Sequence, residues 1–231
     1  MEILALIPAR SGSKGIKNKN IRMIRQKPLM AHSIEHALKS CYINRVIVST
    51  DSKTYMQIAL KYGAEVPFLR PEKYAQDDSL DIDVFRNVLM ELQQKESYVP
   101  DIVVHLRPTY PIRNVEDIDN MIRLLVEKKA DSVRCITPVK ETAYKMWREN
   151  ADGTIYPVLC DIKEAYNMPR QVLPQLYYQN ACIDVIRTEV ITKDHSMSGK
   201  KIIGYKMEDN FDIDTEEDFR RAELKMGGAL E

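Results

Sequence analysis

The chain has no apolar run approaching the roughly 20 residues needed to span a bilayer. Its first hydrophobic stretch, Ile3 to Ile7, is too short for the core of a signal peptide, and Glu2 precedes it in place of a basic flank. Cysteine is sparse: Cys41, Cys135, Cys160 and Cys182 are widely separated and form no C-x-x-C pair, which predicts buried free thiols in a reducing compartment. A cytoplasmic location without membrane contact is therefore expected. Net charge is also absent, since 34 Lys and Arg balance 34 Asp and Glu, so no global field draws the chain to nucleic acid or lipid. Neither the Walker G-x-x-x-x-G-K-[ST] nor the dinucleotide G-x-G-x-x-G pattern occurs. His32 and His36 have metal-ligand spacing, but no glutamate follows the first in the H-E-x-x-H manner, so a half-buried helix face is expected. No Ser-His-Asp set, activated cysteine, internal repeat or low-complexity linker can be picked out.

What is present suits one soluble domain over residues 1–231 that buries a substantial core, with 44% hydrophobic and 29% charged residues. Its charges are segregated. Between Ile3 and Ile34 stand seven basic residues, Arg10, Lys14, Lys17, Lys19, Arg22, Arg25 and Lys27, and no acid. Between Glu208 and Asp218 stand seven acids and no base. Two opposite local fields in one fold predict a site for an anion and a cation together.

Short apolar runs alternate with helical periods through the first 136 residues, as a parallel sheet with crossover helices requires. The expected strands are Ile3 to Ile7, Val46 to Ser49, Ile102 to Leu106 and Ser132 to Ile136. Between them lie helical patterns at Leu29 to Leu38, Tyr55 to Tyr62, Val84 to Leu92 and Val115 to Glu127, the last capped by Asn114 and the third by Ser79 or Asp81. The rhythm breaks from Pro138 to about residue 180, where the only tryptophan and Pro157, Pro169 and Pro174 predict a β-rich or irregular insertion. Strands at Ala181 to Ile186 and Lys201 to Tyr205 and a helix from Glu216 to Met226 close the chain, and Gly227 to Glu231 is expected to fray.

In an open α/β sheet ligands bind beyond the carboxyl ends of the strands. After the first strand comes Arg10-Ser11-Gly12-Ser13-Lys14-Gly15, whose glycines allow close backbone approach and whose Arg10 and Lys14 add charge where a triphosphate would lie. After the second comes Thr50-Asp51. After the third comes "LRPTYPIR", a proline-stiffened loop carrying Arg107 and Arg113, suited to gripping an anion. Near the end stands "NFDIDTEEDF". Asp212 and Asp214 are two apart in extended chain, so both carboxylates share a side and can share Mg²⁺. Glu216, Glu217 and Asp218 are assigned to the start of a helix capped by Thr215.

Together these stretches resemble the acylneuraminate cytidylyltransferase family, which makes CMP-sialic acids. "IPARSGSKGIKNKNI" resembles its nucleotide loop, "VIVSTDS" the segment after its second strand, "LRPTYPIR" its Q-P-T-S-P-L-R loop, and "PRQVLPQLYYQNACIDV" and "DIDTEEDF" its later motifs. The resemblance implies a Rossmann-like nucleotidyltransferase fold, α/β with a mostly parallel sheet, in which 138–180 is a dimerisation insertion reaching the partner's site in a homodimer. It implies that Arg10, Ser13, Lys14, Lys19, Asn20 and Arg70 surround CTP and that Asp212 and Asp214 hold Mg²⁺. It places Lys145 and Arg170 near the carboxylate of an acidic sugar, Arg170 across the dimer. At the sugar end the chain departs from the family. Arg107 replaces Gln, Tyr110 replaces Ser, Asp81 replaces a Ser that approaches the nucleotide, and "LYYQNACID" replaces A-F-R-P-N-G-A-I-Y, which directs attention to Tyr178 and Asp184 as sugar-site candidates.

The expected reaction is transfer of CMP from CTP to a 3-deoxy-2-ulosonic acid with release of pyrophosphate. A glycosyltransferase with an Asp-x-Asp motif is the rival enzyme, although that motif usually follows a mid-chain strand. A non-catalytic nucleotide-binding homologue is the rival of another class. A nucleic-acid module is disfavoured because no aromatics interleave the basic stretch.

Overall fold

The computed structural model describes residues 1–208 and 211–227. Asp209 and Asn210 of the acidic stretch, and residues 228–231 of the end expected to fray, lie outside the described residues. Strand β1 (Ile3–Pro8) leads into the basic loop, a two-residue pairing of β2 (Met23–Ile24) with β3 (Lys27–Pro28), and helix α1 (Leu29–Lys39). Next come β4 (Arg45–Ser49), α2 (Lys53–Lys61), α3 (Asp81–Glu96), β5 (Ile102–Leu106), α4 (Val115–Glu127) and β6 (Ser132–Pro138). The remainder holds the small antiparallel pair β7 (Trp147–Glu149) and β8 (Ile155–Pro157), the long β9 (Tyr177–Arg187), α5 (Thr188–Thr192), β10 (Ile202–Lys206) and α6 (Glu216–Met226).

Six strands form one sheet in the order β10-β6-β9-β5-β1-β4. All pairings in it are parallel except those of β9, which runs antiparallel to both neighbours. Central strands buried on both faces read as continuous apolar runs, and β1 supplies one core with Ile3, Ala5 and Ile7 and the other with Leu4 and Leu6. On the first face α1, α2 and α4 contribute Met30, Ile34, Ala59, Ile118 and Met121; on the second, α3 and α5 contribute Phe85, Leu92 and Val190. Each of the Leu, Ile, Met, Val and Phe side chains among them contributes about 1.5–3 kcal/mol when fully buried.

A third, smaller core positions the site. Ile16 of the basic loop, Ile24, Leu29, Ile213 of the acidic motif and Phe219 and Ala222 of α6 pack together. Helix α6 is started by a capping box in which Thr215 accepts from Asp218 N and the Asp218 carboxylate accepts from Thr215 N. The Asn114 side chain accepts from Glu116 N at 3.1 Å, as its position predicts.

Several expectations are corrected in detail. Helix α3 starts without a side-chain cap: Ser79 Oγ donates to Lys73 O, and the Asp81 carboxylate is taken by Arg107. Only Cys135 and Cys182 are buried; Cys41 and Cys160 lie exposed in connecting segments. Of the two alternatives for 138–180 the irregular one describes it better: it holds β7, β8 and single 3-10 turns at Ala143–Lys145, Ala165–Asn167 and Arg170–Val172, and its last residues, from Tyr177, already belong to β9. Helix α5 has too few residues for its period to stand out.

Candidate active site

The parallel strands β1, β4 and β5 present their following loops at one end of the sheet. The basic loop is pinned to its neighbour: Ser11 N and Oγ donate to the two Asp51 carboxylate oxygens at 2.8 and 2.6 Å. Buried Asn20 donates to Arg10 O at 3.0 Å, closing the loop on itself. Gly15 comes so near the acidic motif that a Cβ there would lie 2.8 Å from Asp214 O. Gly12 has no such neighbour and no left-handed φ, so of the loop's two glycines only the second is demanded by packing. The two basic side chains do not stand alone. Arg10 Nη2 pairs with Asp77 at 2.8 Å, Lys14 Nζ pairs with the other oxygen of the same carboxylate, and Arg10 Nη1 donates to Ala75 O at 3.3 Å. Among the described residues these cations therefore meet an acid from the segment before α3, and none from the acidic stretch near the end of the chain.

The acidic motif meets the next cations along. Lys19 Nζ donates to Ile213 O at 2.7 Å and to Asp214 Oδ1 at 3.0 Å, while Arg22 pairs with Glu216 at 2.5 Å. Ile213 N donates to Thr109 O at 3.0 Å, joining the motif to the loop after β5. Burial raises the Asp212 carboxyl above its usual range; Thr109 pulls the other way and the nearby Asp214 charge adds to the rise. Asp212 Oδ1 is buried with no hydrogen-bond partner among the described residues. Asp214, in contrast, is exposed.

The loop after β5 rests on a bulge in β9. The β6–β9 register jumps from Arg134↔Asp184 to Ile136↔Gln179, and Ala181 within the jump adopts a left-handed φ of 58°. The freed carbonyls face the loop. Asn180 O accepts from the Tyr110 hydroxyl, Ala181 O from Arg107 Nη1 at 3.0 Å, and Cys182 O from Arg113 Nη2 at 2.9 Å. Arg107 then bridges Asp81 at 2.8 Å and fully buried Asp184 at 3.1 Å, and Arg134 reaches the other Asp184 oxygen at 3.2 Å. Burial disfavours the Arg107 charge, but Asp184 and Asp81 more than offset it, so its pKa rises. His105 lies beneath, fully buried; burial and then the Arg107 charge push its pKa well below the ordinary value. Arg113, expected with Arg107 to grip an anion, is instead buried and spent on Cys182 O, Ser33 Oγ and Arg107 O.

Arg10, Ser13, Lys14, Lys19, Asn20, Arg70, Asp81 and Arg107 are thus brought together around one cleft of about 380 Å³, with Gly15 and Thr109 leading to Asp212 and Asp214. Arg70 is held by Ser49 O at 2.6 Å and Ser49 Oγ at 3.0 Å, and burial pushes its pKa down to about 10. Tyr110 lines a second hollow of about 350 Å³ with Arg113, Lys206 and Lys225. Asp184 lies under Arg107 with no exposed surface. Lys145, which donates to Tyr166 O at 3.1 Å, Arg170, paired with Glu141 at 2.9 Å, and exposed Tyr178 line neither hollow. His32 and His36 hold no metal-ligand set: His32 bonds Ile24 O at 3.1 Å and His36 faces Arg113 at 3.4 Å. Asp51, Asp77, Arg134 and Asn180 are site residues that sequence reasoning missed; Asp51 alone had a signal, its place directly after a strand.

A mostly parallel α/β sheet with a basic, glycine-bearing loop and an Asp-x-Asp motif at its carboxyl end is what a nucleotidyltransferase requires, and the family match assigns the chain to that class. The chain belongs to the cytidylyltransferase family, whose profile matches residues 4–225. It is 33% identical to the CMP-N,N'-diacetyllegionaminic acid synthase of Legionella pneumophila, covering 98% of this chain and 97% of that one. It is 32% identical to the N-acylneuraminate cytidylyltransferase of Escherichia coli, over 96% of this chain and 51% of that longer one. In fold it is similar to a CMP:2-keto-3-deoxy-manno-octonic acid synthetase solved with CTP, at a TM-score of 0.73 and 17% identity, with 100% of both chains covered.

Proposed function

We propose that the chain transfers a cytidylyl group from CTP to the anomeric hydroxyl of a sialic-acid-like 3-deoxy-2-ulosonic acid. The observation that carries this reading is the single cleft in which Arg10, Lys14, Lys19, Asn20 and Arg70 converge, with Asp212 and Asp214 joined to it through Gly15 and Lys19. The names of the relatives support the choice of acid. In the reaction the sugar oxygen attacks the α-phosphorus in line, an O–P bond forms, the Pα–O bond to the β-phosphate breaks, and pyrophosphate leaves while the hydroxyl proton is lost. Such chemistry needs positioning and charge neutralisation more than a covalent nucleophile. Arg10 and Lys14 hold the β- and γ-phosphates. Lys19 orients the acidic motif through Ile213 O and Asp214.

Asp212 and Asp214 fit Mg²⁺, which favours one or two carboxylates with the rest supplied by water and phosphate; the buried, unpartnered Asp212 Oδ1 is an acceptor of that kind. Held by these two carboxylates, Mg²⁺ would supply neutralisation of the phosphate charge. Arg107, oriented by Asp81 and Asp184, is assigned to the sugar side together with Tyr110 and Tyr178. Lys145 and Arg170 are assigned to the sugar carboxylate, Arg170 from the partner in a cytoplasmic homodimer built on 138–180, a segment that exposes Trp147, Ile155 and Tyr156.

The test is pyrophosphate release with CTP, Mg²⁺ and a panel of nonulosonic and octulosonic acids. Release with at least one acid is expected; silence with all four nucleoside triphosphates overturns the reading. Asp214→Ala is expected to slow turnover by about 10²-fold or more. Near-normal turnover at saturating Mg²⁺ removes Asp214 from the metal site.

A further inference from the structure

We propose that Asp77 is a built-in competitor for the polyphosphate site: its carboxylate occupies Arg10 and Lys14 in the empty cleft, must leave them when a nucleotide enters, and returns as pyrophosphate departs. The inference rests on the reading of Arg10 and Lys14 as phosphate ligands. Its basis is geometric. One Asp77 oxygen lies 2.8 Å from Arg10 Nη2 and the other is on Lys14 Nζ, so the carboxylate bridges the two cations as a phosphate group would. No other ion pair engages either side chain among the described residues, and both line the cleft, as does Asp77 itself.

The segment carrying Asp77 is built to move. Between Ala75 and Leu80 no residue is buried, and Leu80 is 62% exposed. Its remaining ties are local: Ala75 N and Gln76 Nε2 to Glu72 O, Ser79 N to Gln76 O, Ser79 Oγ to Lys73 O, Leu80 O to the Asp83 and Val84 amides of α3, and Ala75 O to Arg10 itself. Lys14 first and Arg10 second hold the Asp77 carboxyl below its usual pKa, so it is a full anion at neutral pH. Partly exposed pairs are weak, and a triphosphate carries several charges to the carboxylate's one, so competition is lost by Asp77 but costs affinity. Two pairs of this kind correspond to about 3- to 30-fold in binding.

The experiment compares the full-length protein with Asp77→Asn and with Asp78→Asn. The latter makes the same change of net charge at a neighbour that does not line the cleft. Calorimetry is done with inorganic tripolyphosphate without metal, then with CTP with and without Mg²⁺, and KM for CTP and inhibition by pyrophosphate are measured alongside. Asp77→Asn is expected to bind tripolyphosphate and CTP about 3- to 30-fold more tightly, to lower KM, and to be inhibited by less pyrophosphate, with Asp78→Asn close to the parent. Asp77→Ser should behave like Asp77→Asn. Equal shifts in the Asp77 and Asp78 variants, weaker binding by Asp77→Asn, or no tripolyphosphate binding by any form overturns the proposal. A loss of CTP affinity seen only with Mg²⁺ makes Asp77 part of the metal site and also overturns it. Because tripolyphosphate carries no base or sugar, this result is independent of whether any sugar acid elicits pyrophosphate release.

Discussion

Gly15 offers the sharpest test of how the cleft is assembled. The perturbation is Gly15→Ala, with Gly12→Ala as its control in the same loop. A methyl at Gly15 would lie 2.8 Å from the Asp214 carbonyl oxygen, whereas one at Gly12 meets nothing within 4 Å. Ordinary carbon-to-carbonyl contacts fall at about 3.3–3.6 Å, so the acidic motif must retreat by roughly half an ångström. That retreat cannot be taken up by a side chain, because the obstacle is backbone, tied on one side to Thr109 O through Ile213 N and on the other to Lys19. Misplacing a reacting constellation by about 1 Å costs on the order of 10²-fold, so kcat/KM for pyrophosphate release should fall by about 10- to 100-fold. Overpacking of this kind costs about 1–3 kcal/mol, and thermal unfolding should drop by several degrees with the fold intact. Gly12→Ala should stay within about twofold of the parent in activity. Equal activity of the two alanine variants would refute the claim that Gly15 sets the distance between the basic loop and Asp214.

The buried network predicts a stability effect as well. Removing one partner of a buried ion pair costs about 3–5 kcal/mol, and Asp184→Ala leaves Arg107 and Arg134 facing each other without it, so urea unfolding should show a loss in that range. A loss under about 1 kcal/mol would mean that the two guanidinium groups find other partners at no cost. Acid sensitivity follows from the histidines. Burial lowers the pKa of His32 and His105, and burial with the Arg113 charge takes His36 to about 3. They fold neutral but protonate when unfolded, so the unfolded chain binds more protons below pH 6.5 and stability falls as pH drops from there. Unfolding free energy measured from pH 7 to 5 should decline by up to about 1.4 kcal/mol per unit for each histidine, less in His36→Gln. A flat profile would contradict this.

The layered sheet is legible in the sequence because each strand is a short apolar run and each helix keeps its period; β1 and β5 coincide with the runs at Ile3 and Ile102. The direction of β9 is not, because the run 181–186, apolar except for Asp184, reads as a buried strand whichever way it runs. The bulge is hidden for a related reason. Ala181 carries no glycine signal for its left-handed backbone, a conformation that costs an L-residue about 1–2 kcal/mol. The cleft residues of the first loop are legible because loop position and charge coincide. Asp77 is not, since only the fold carries it across to Arg10, and the acids of 208–218 look from sequence like the natural counterweight. Arg113 misleads in the opposite sense: a charged side chain in a proline-stiffened loop suggests solvent, yet three carbonyl or hydroxyl acceptors draw it inside.

The carbonyls that hold the arginine loop also impose an order of assembly. Strands β1, β4 and β5 and their helices arise from the first half of the chain and can pair as each emerges. Arg107, Tyr110 and Arg113 then wait for Ala181, Asn180 and Cys182, contributed some 70 residues later by a strand that must enter between β5 and β6 against their direction. Contacts so distant in sequence close slowly. A nascent or truncated chain ending before β9 would carry the basic loop without the wall that faces it, and binding competence would be the last property acquired during folding.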